Sequence, residues 1–257
     1  MIVAFLDASP SARGVLDAAV RLGEVAGARV GAVHVRTSPD SDRLAADLCR
    51  SRSVELQILD APVAEALLGR LAESGVDAGV LGARSTAGGR RPVGSVTRAV
   101  IDRCAVPVMV VPPESVDPPP FRTALVPLEG TAPTSSPIQA WLPRFAEHLE
   151  LLVLHVFTPD TVPRMLDRPV RDMAMIKETF TERHLPRAVD AEMRPGHVAL
   201  CIIDCCRRGP ADGGSGIDLV ILSWLQPAGA GRAQTIMEVL SLSPLPTLLL
   251  PAATPGR

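Results

Sequence analysis

The 257-residue chain predicts an α/β protein built from two doubly wound, five-stranded parallel sheets in tandem. Three observations carry that expectation. Over residues 2–111, short runs that are apolar throughout, as strands buried on both faces of a parallel sheet must be, alternate with segments of helical periodicity. A proline-rich segment follows. The same order of patterns then begins again, which marks an internal duplication.

In chain order, IVAFL at residues 2 to 6 reads as the first buried strand, ending at Asp7. Ser9 offers an N-cap and Pro10 a first helical residue, and Leu16, Ala19, Val20 and Gly23 fall at helical spacing before a stop near Gly27. RVGAVHV, residues 29 to 35, is the second strand, Ser41 to Leu48 a short helix, and VELQIL, residues 54 to 59, alternates as an edge strand does. Pro62 opens a helix carrying Val63, Leu67, Leu68 and Leu71, stopped at Gly75. A strand ending at Gly82, a Gly- and Arg-rich loop, a helix opening at Ser95 and the strand VPVMVV complete five strands joined by four helices.

PPESVDPPPF then reads as a stiff, extended linker, because proline continues neither a helix nor a central strand. Beyond it, ALVPLEG repeats AFLDA, LLVLHVF repeats AVHVR, IDLVILSW repeats VDAGVLGA and PLPTLLLP repeats AVPVMVVP. The expected division is residues 1–113, a linker at 114–120, and residues 121–257. Thr158 to Val189 is a longer insertion with a helix over Asp172 to Glu182, and residues 207 to 216 read as a flexible loop. With strand order 3-2-1-4-5 in each half, the last strands, Val106 to Val111 and Thr247 to Leu250, are long apolar edges. Bare edges of that kind invite aggregation, so the two are expected to pair antiparallel and make one chain the equivalent of a dimer. A homodimer of whole chains remains open.

Composition excludes several classes. A formal net charge of −2 gives no electrostatic footprint for nucleic acid or an anionic membrane. No apolar run is long enough to span a bilayer, and Met1 leads straight into IVAFLD without a basic leader, so a cytoplasmic location is expected. The five cysteines follow no disulfide spacing. His197, Cys201 and Cys205 recur every four residues and would line one helix face. Cys206 points about 100° away around the helix, too far to complete a tetrahedral zinc site. The expected alternative is a buried stripe of Cys201, Ile202 and Cys205, and no metal site is assigned.

The stretch that carries function is VLGARSTAGGRRPVGSVTRAV. A loop running from the carboxyl end of a parallel strand into a helix amino terminus offers free backbone N–H groups and the positive end of a dipole to an anion. Gly82, then Gly94 followed by Ser95, resemble the nucleotide loop of the universal stress protein family. That pattern is Gly, two residues, Gly, nine residues, Gly, then Ser or Thr. Ser85 stands where the second glycine belongs, and only eight residues separate it from Gly94. The resemblance extends through both halves and implies two domains of the adenine nucleotide alpha hydrolase-like fold. It further implies an adenine nucleotide such as ATP, with Mg²⁺ if ATP is the ligand. Asp7 and the backbone near Val35 would meet the base, and Gly82, Ser85, Gly94 and Ser95 the ribose and phosphates.

Each position also has a structural explanation: Asp7 as a strand terminator, Gly82 as a packing glycine, Ser95 as an N-cap. Arg84, Arg90 and Arg91 could pair with phosphates or keep a surface loop soluble, and the surface role is the expected one. In the second half Glu129 replaces Asp7, Ser223 replaces Gly82, Trp224 follows with bulk expected to fall where a ligand would lie, and Ala233 or Gln234 replaces Gly94. At most one nucleotide per chain is therefore expected, in the N-terminal half, weakened by Ser85 and the short loop. No nucleophile elbow, HExxH or Walker motif is present, and core or surface roles suffice for the five histidines. The leading expectation is a non-enzymatic stress-response protein with an unknown protein partner. A nucleotide-independent interaction module with decayed sites, or a slow ATPase, stands beside it.

Overall fold

The computed structural model describes residues 1–84, 93–130, 132–145, 149–157, 173–185, 188, 190–209, 216–224 and 232–252. β1 (Ile2–Leu6) is buried along its whole length. α1 (Ala12–Ala26) begins after Ser11, because the Ser9 hydroxyl is engaged by the Asp7 carboxylate and by the Ser11 hydroxyl rather than by the helix. It stops at Gly27, whose left-handed φ of 57° suits a residue without Cβ. β2 (Val30–Val35) leads to α2 (Pro39–Ser51), longer at both ends than expected. Ser38 and Ser41 form a reciprocal capping box with Pro39 at the first turn, a start signal the sequence reading passed over.

β3 (Glu55–Leu59), α3 (Val63–Leu71), β4 (Ala78–Gly82), α4 (Ser95–Arg103) and β5 (Val108–Val111) complete the first half. Pro62 precedes α3 as its N-cap, and the helix closes at Ala72, before Gly75. The second half repeats the order as β6 (Thr123–Pro127), α5 (Ala132–Phe145), β7 (Glu150–Phe157), α6 (Met173–His184), β8 (Asp190–Pro195), α7 (Val198–Arg208), β9 (Leu219–Trp224), α8 (Arg232–Leu242) and β10 (Thr247–Pro251).

The strands form one sheet in the order β3-β2-β1-β4-β5-β10-β9-β6-β7-β8, so each half has the expected order and the two are related by a pseudo-twofold. The seam is antiparallel, with Thr247 opposite Val110, Leu248 opposite Met109 and Leu249 opposite Val108. The other ladders among the described residues are parallel. Pairing the two edges keeps Val108, Met109, Val110, Leu248 and Leu249 at 3% exposure or less. Each such side chain contributes about 1.5–3 kcal/mol by leaving water.

Alternate residues of the strands feed two apolar layers, one per face, and both layers run across the seam. Ile2, Ala4 and Leu6 join α1 on one face, while Val3 and Phe5 join α3 and α4 on the other.

The segment after β5, expected as a stiff, extended linker, is held against a helix. It packs along α1. A Cβ on Gly14 would sit 1.9 Å from the Ser115 carbonyl oxygen, so the close approach requires glycine there. Arg21 donates to the Pro118 carbonyl at 3.3 Å, and Arg52, paired with buried Asp17 at 2.6 Å, also feels the charge of Asp117. Phe121 is buried at the far end. Gly14 and Arg21 on α1, with Arg52 at the end of α2, decide this course, and no local pattern shows it.

Candidate functional site: a strand-end cleft

Parallel strands end on one edge of the sheet, and neighbouring strands whose helices leave to opposite faces open a crevice between them. β1 feeds α1 on one face, and β4 feeds α4 on the other. Beyond their ends lies a cleft of about 340 Å³, within the range that holds a small ligand. Asp7, Val35, Gly82, Gly94 and Ser95 all line it. Ser85, Arg90 and Arg91 lie outside the described residues.

The walls differ in chemistry. Val33, Val35, Val63 and Leu67 give an apolar side. Opposite them, α4 begins at Ser95 with Gly94 as N-cap, a residue with no side chain to cap that end. The first amides of α4 therefore face the cleft with the positive end of the dipole. Ser95 is the first residue of the helix and its side chain is exposed, so the capping explanation for it does not hold. Thr97 is buried and donates to the Gly82 carbonyl at 2.7 Å, while the Gly94 N–H donates to Ala83 at 2.8 Å. These two bonds clamp the helix start onto the end of β4.

The two glycines are not demanded by packing. A Cβ on Gly82 would find its nearest neighbours at 3.6 Å, and one on Gly94 at 3.4 Å, ordinary contact distances. Gly94 has φ −58° and ψ 149°, a conformation open to any residue. By contrast, Gly79 would drive its Cβ to 2.6 Å from Leu71. The missing Cβ atoms at 82 and 94 thus leave room in the cleft rather than in the core. Asp7 does both things asked of it: Oδ1 accepts from the Ser9 N–H at 3.1 Å, and the residue remains exposed along the cleft.

Three further residues belong to the cleft. Arg84, taken as a solvated loop cation, has a side chain only 10% exposed, lines the cleft and pairs with Glu114 at 3.7 Å. Its place two residues past the end of β4 was the available signal. Thr37, just beyond β2, lines the same wall as Val35. His34 is buried at the base of the cleft, with Nδ1 2.8 Å from the Leu6 carbonyl oxygen and Nε2 3.1 Å from Ser41 Oγ. The repeat of His34-Val35 as His155-Val156 marked it.

The matching place in the second half holds about 80 Å³. Glu129 and Ser223 line it, together with Val198, Ile202 and Ile236. Trp224 corrects the reading made from its bulk. It is absent from this cleft and turns to the seam, where it is 3% exposed and its indole N–H donates to the Ile101 carbonyl of α4 at 3.1 Å.

On α7 the expected stripe is partly changed. His197 is the N-cap rather than a helical residue, Cys201 is half-buried, and Ile202 and Cys205 are buried. Burial first, and then the nearby Glu192 carboxylate, push the Cys205 thiol up to about 12. Among the described residues no group of three or more His, Cys, Asp or Glu could hold a metal ion, and no helix is long and apolar enough to cross a membrane.

A tandem, doubly wound α/β protein with a cleft at its strand ends is thus the class that fold and site define. Residues 49–112, from the end of α2 past β5, match the universal stress protein family. No curated protein sequence matches the chain. Among solved structures, a universal stress protein from Archaeoglobus fulgidus DSM 4304 aligns over 98% of both chains with a TM-score of 0.63 and 14% identity. A functionally unknown protein from Pseudomonas aeruginosa PAO1 aligns over 98% of this chain and 92% of its own, with a TM-score of 0.67 and 12% identity. At such identities the likeness is one of fold. Residues 49–112 thus match the universal stress protein family, and the chain has the tandem fold of these structures throughout.

Proposed function

We propose that this protein binds one adenine nucleotide, ATP or a close relative, in the N-terminal unit of residues 1–113, and that residues 121–257 form a degenerate second unit that binds none. The observation that carries the reading is the pair of glycines at 82 and 94. Neither is required by fold or backbone conformation, and both open the cleft where a phosphate would meet the start of α4. Arg84 adds a cation at the same end, and the apolar wall by Val35 and Val63 suits a base. Mg²⁺ would enter with ATP, on phosphate oxygens, and would add charge neutralisation there.

The reading is one of binding without turnover. Among the described residues, the titratable groups of the cleft are tied to structural partners: Asp7 to Ser9, His34 to Leu6, and Arg84 to Glu114. None is poised to activate a water. Retention or release of nucleotide would then change the surface shown to a protein partner inside the cell.

Calorimetry with ATP on the intact chain and on Gly94→Val tests this. One site per chain, weakened at least tenfold by valine, is expected. Two equivalent sites, or binding that valine leaves unchanged, would show that the cleft is wrongly assigned.

A further inference from the structure

We infer that Thr37 reads the substituent at position 6 of the bound purine, so that the cleft prefers a 6-amino to a 6-oxo base. The inference rests on the nucleotide reading above. Thr37 is exposed just beyond the end of β2 and lines the cleft with Asp7 and Val35. β2 is separated from β4 by β1 alone. Two strand spacings place Thr37 about 10 Å from the end where α4 begins. A nucleotide whose phosphate meets α4 therefore carries its base toward Thr37.

The polarity of the Thr37 hydroxyl follows from counting protons behind it. Thr37 Oγ1 is 2.9 Å from Ser41 Oγ, and the Ser38 N–H donates to that same oxygen at 3.1 Å. Ser41 has one proton and two lone pairs. Its proton can go to the Ser38 carbonyl at 2.7 Å or to His34 Nε2 at 3.1 Å. The Leu6 carbonyl, 2.8 Å from His34 Nδ1, can only accept, so Nδ1 carries a proton; Nε2 also faces buried Asp42 Oδ1 at 3.5 Å, and a proton on Nε2 is drawn to that carboxylate rather than to Ser41. Either choice for the Ser41 proton leaves both lone pairs for Ser38 N–H and Thr37 O–H. Ser41 and His34 are 4% and 1% exposed, so water does not offer an alternative donor.

The Thr37 proton is thereby committed inward, and its lone pairs face the cleft. An exocyclic amino group donates to those lone pairs, whereas an exocyclic carbonyl meets them oxygen to oxygen. Sites built around a specific hydrogen bond reject analogues that leave it unmade.

The test compares ATP with ITP by calorimetry at pH 8 on the wild type, Thr37→Ser and Thr37→Val. The wild type is expected to favour ATP about tenfold, the size of one hydrogen bond gained or lost. Serine keeps that ratio because it keeps the hydroxyl. Valine, the same shape without it, brings the ratio to about threefold or less. ATP binding with a ratio that valine leaves unaltered overturns the inference alone. Failure of the wild type to bind either nucleotide overturns the nucleotide reading and the inference with it.

Discussion

His34 Nδ1 lies 2.8 Å from the carbonyl oxygen of Leu6, the last residue of β1 and its register partner across the sheet. The duplicated half repeats the bond, with His155 Nδ1 2.8 Å from the Leu128 carbonyl. Each histidine supplies a donor to a buried carbonyl at the end of a central strand. Behind this shared bond the halves diverge: His34 meets Ser41, while His155 packs against Phe157 and Phe180.

His34→Ala and His155→Ala are each expected to cost about 2 kcal/mol, the sum of a cavity and a buried carbonyl left without its donor. Urea titrations of the single and double variants check this. Additive losses are expected, since the sites are in separate halves. A loss under about 0.5 kcal/mol in either variant would remove the assigned role.

Gly14→Ala should cost about 1–3 kcal/mol, because its Cβ would fall 1.9 Å from the Ser115 carbonyl and force the linker off α1. Gly82→Ala, whose Cβ meets nothing nearer than 3.6 Å, serves as the control and should unfold at nearly the wild-type urea concentration. Equal midpoints for all three proteins would mean that the linker does not dock on α1.

Trp224→Phe removes the indole bond to Ile101 while keeping an aromatic ring in the seam. A loss of about 1 kcal/mol is expected. Because Ile101 belongs to α4, whose first turn frames the cleft, tryptophan fluorescence should respond when ATP binds. Trp141→Phe is the variant in which to look. A silent signal at saturating ATP would show that α4 does not transmit occupancy to the seam.

Alkaline stability provides a fourth check. The Cys205 thiol ionises near 12 in the folded chain, against an ordinary value of 9.0. Between those values the unfolded chain releases the proton first, so stability present below pH 9 is lost as pH rises toward 12. Cys205→Ala should lower the slope there, while Cys206, whose thiol burial also pushes up to about 12, keeps the remainder. At pH 8 iodoacetamide should leave native Cys205 unmodified, and rapid alkylation would contradict its burial.

By itself the sequence determined the order of strands and helices, the duplication and the ladder at the seam. Unbroken apolar runs such as IVAFL and VMVV have few other ways to leave water, and an edge as apolar as β5 requires cover. It also determined which strand ends and which loop lie together, since the parallel strands of each half finish on one side. Glycines 82 and 94 were legible as candidates for that reason. Their meaning was not, because packing glycines and cleft glycines look alike until the space around a Cβ is known. Only the tertiary structure decided that Gly14 yields to a carbonyl while Gly82 and Gly94 yield to the cleft. Only it turned Trp224 toward the seam, brought Arg84 inward, and set Ser41 and His34 behind Thr37. Each of these depends on side-chain direction and on neighbours distant in sequence, which a local pattern of apolar and polar residues does not encode.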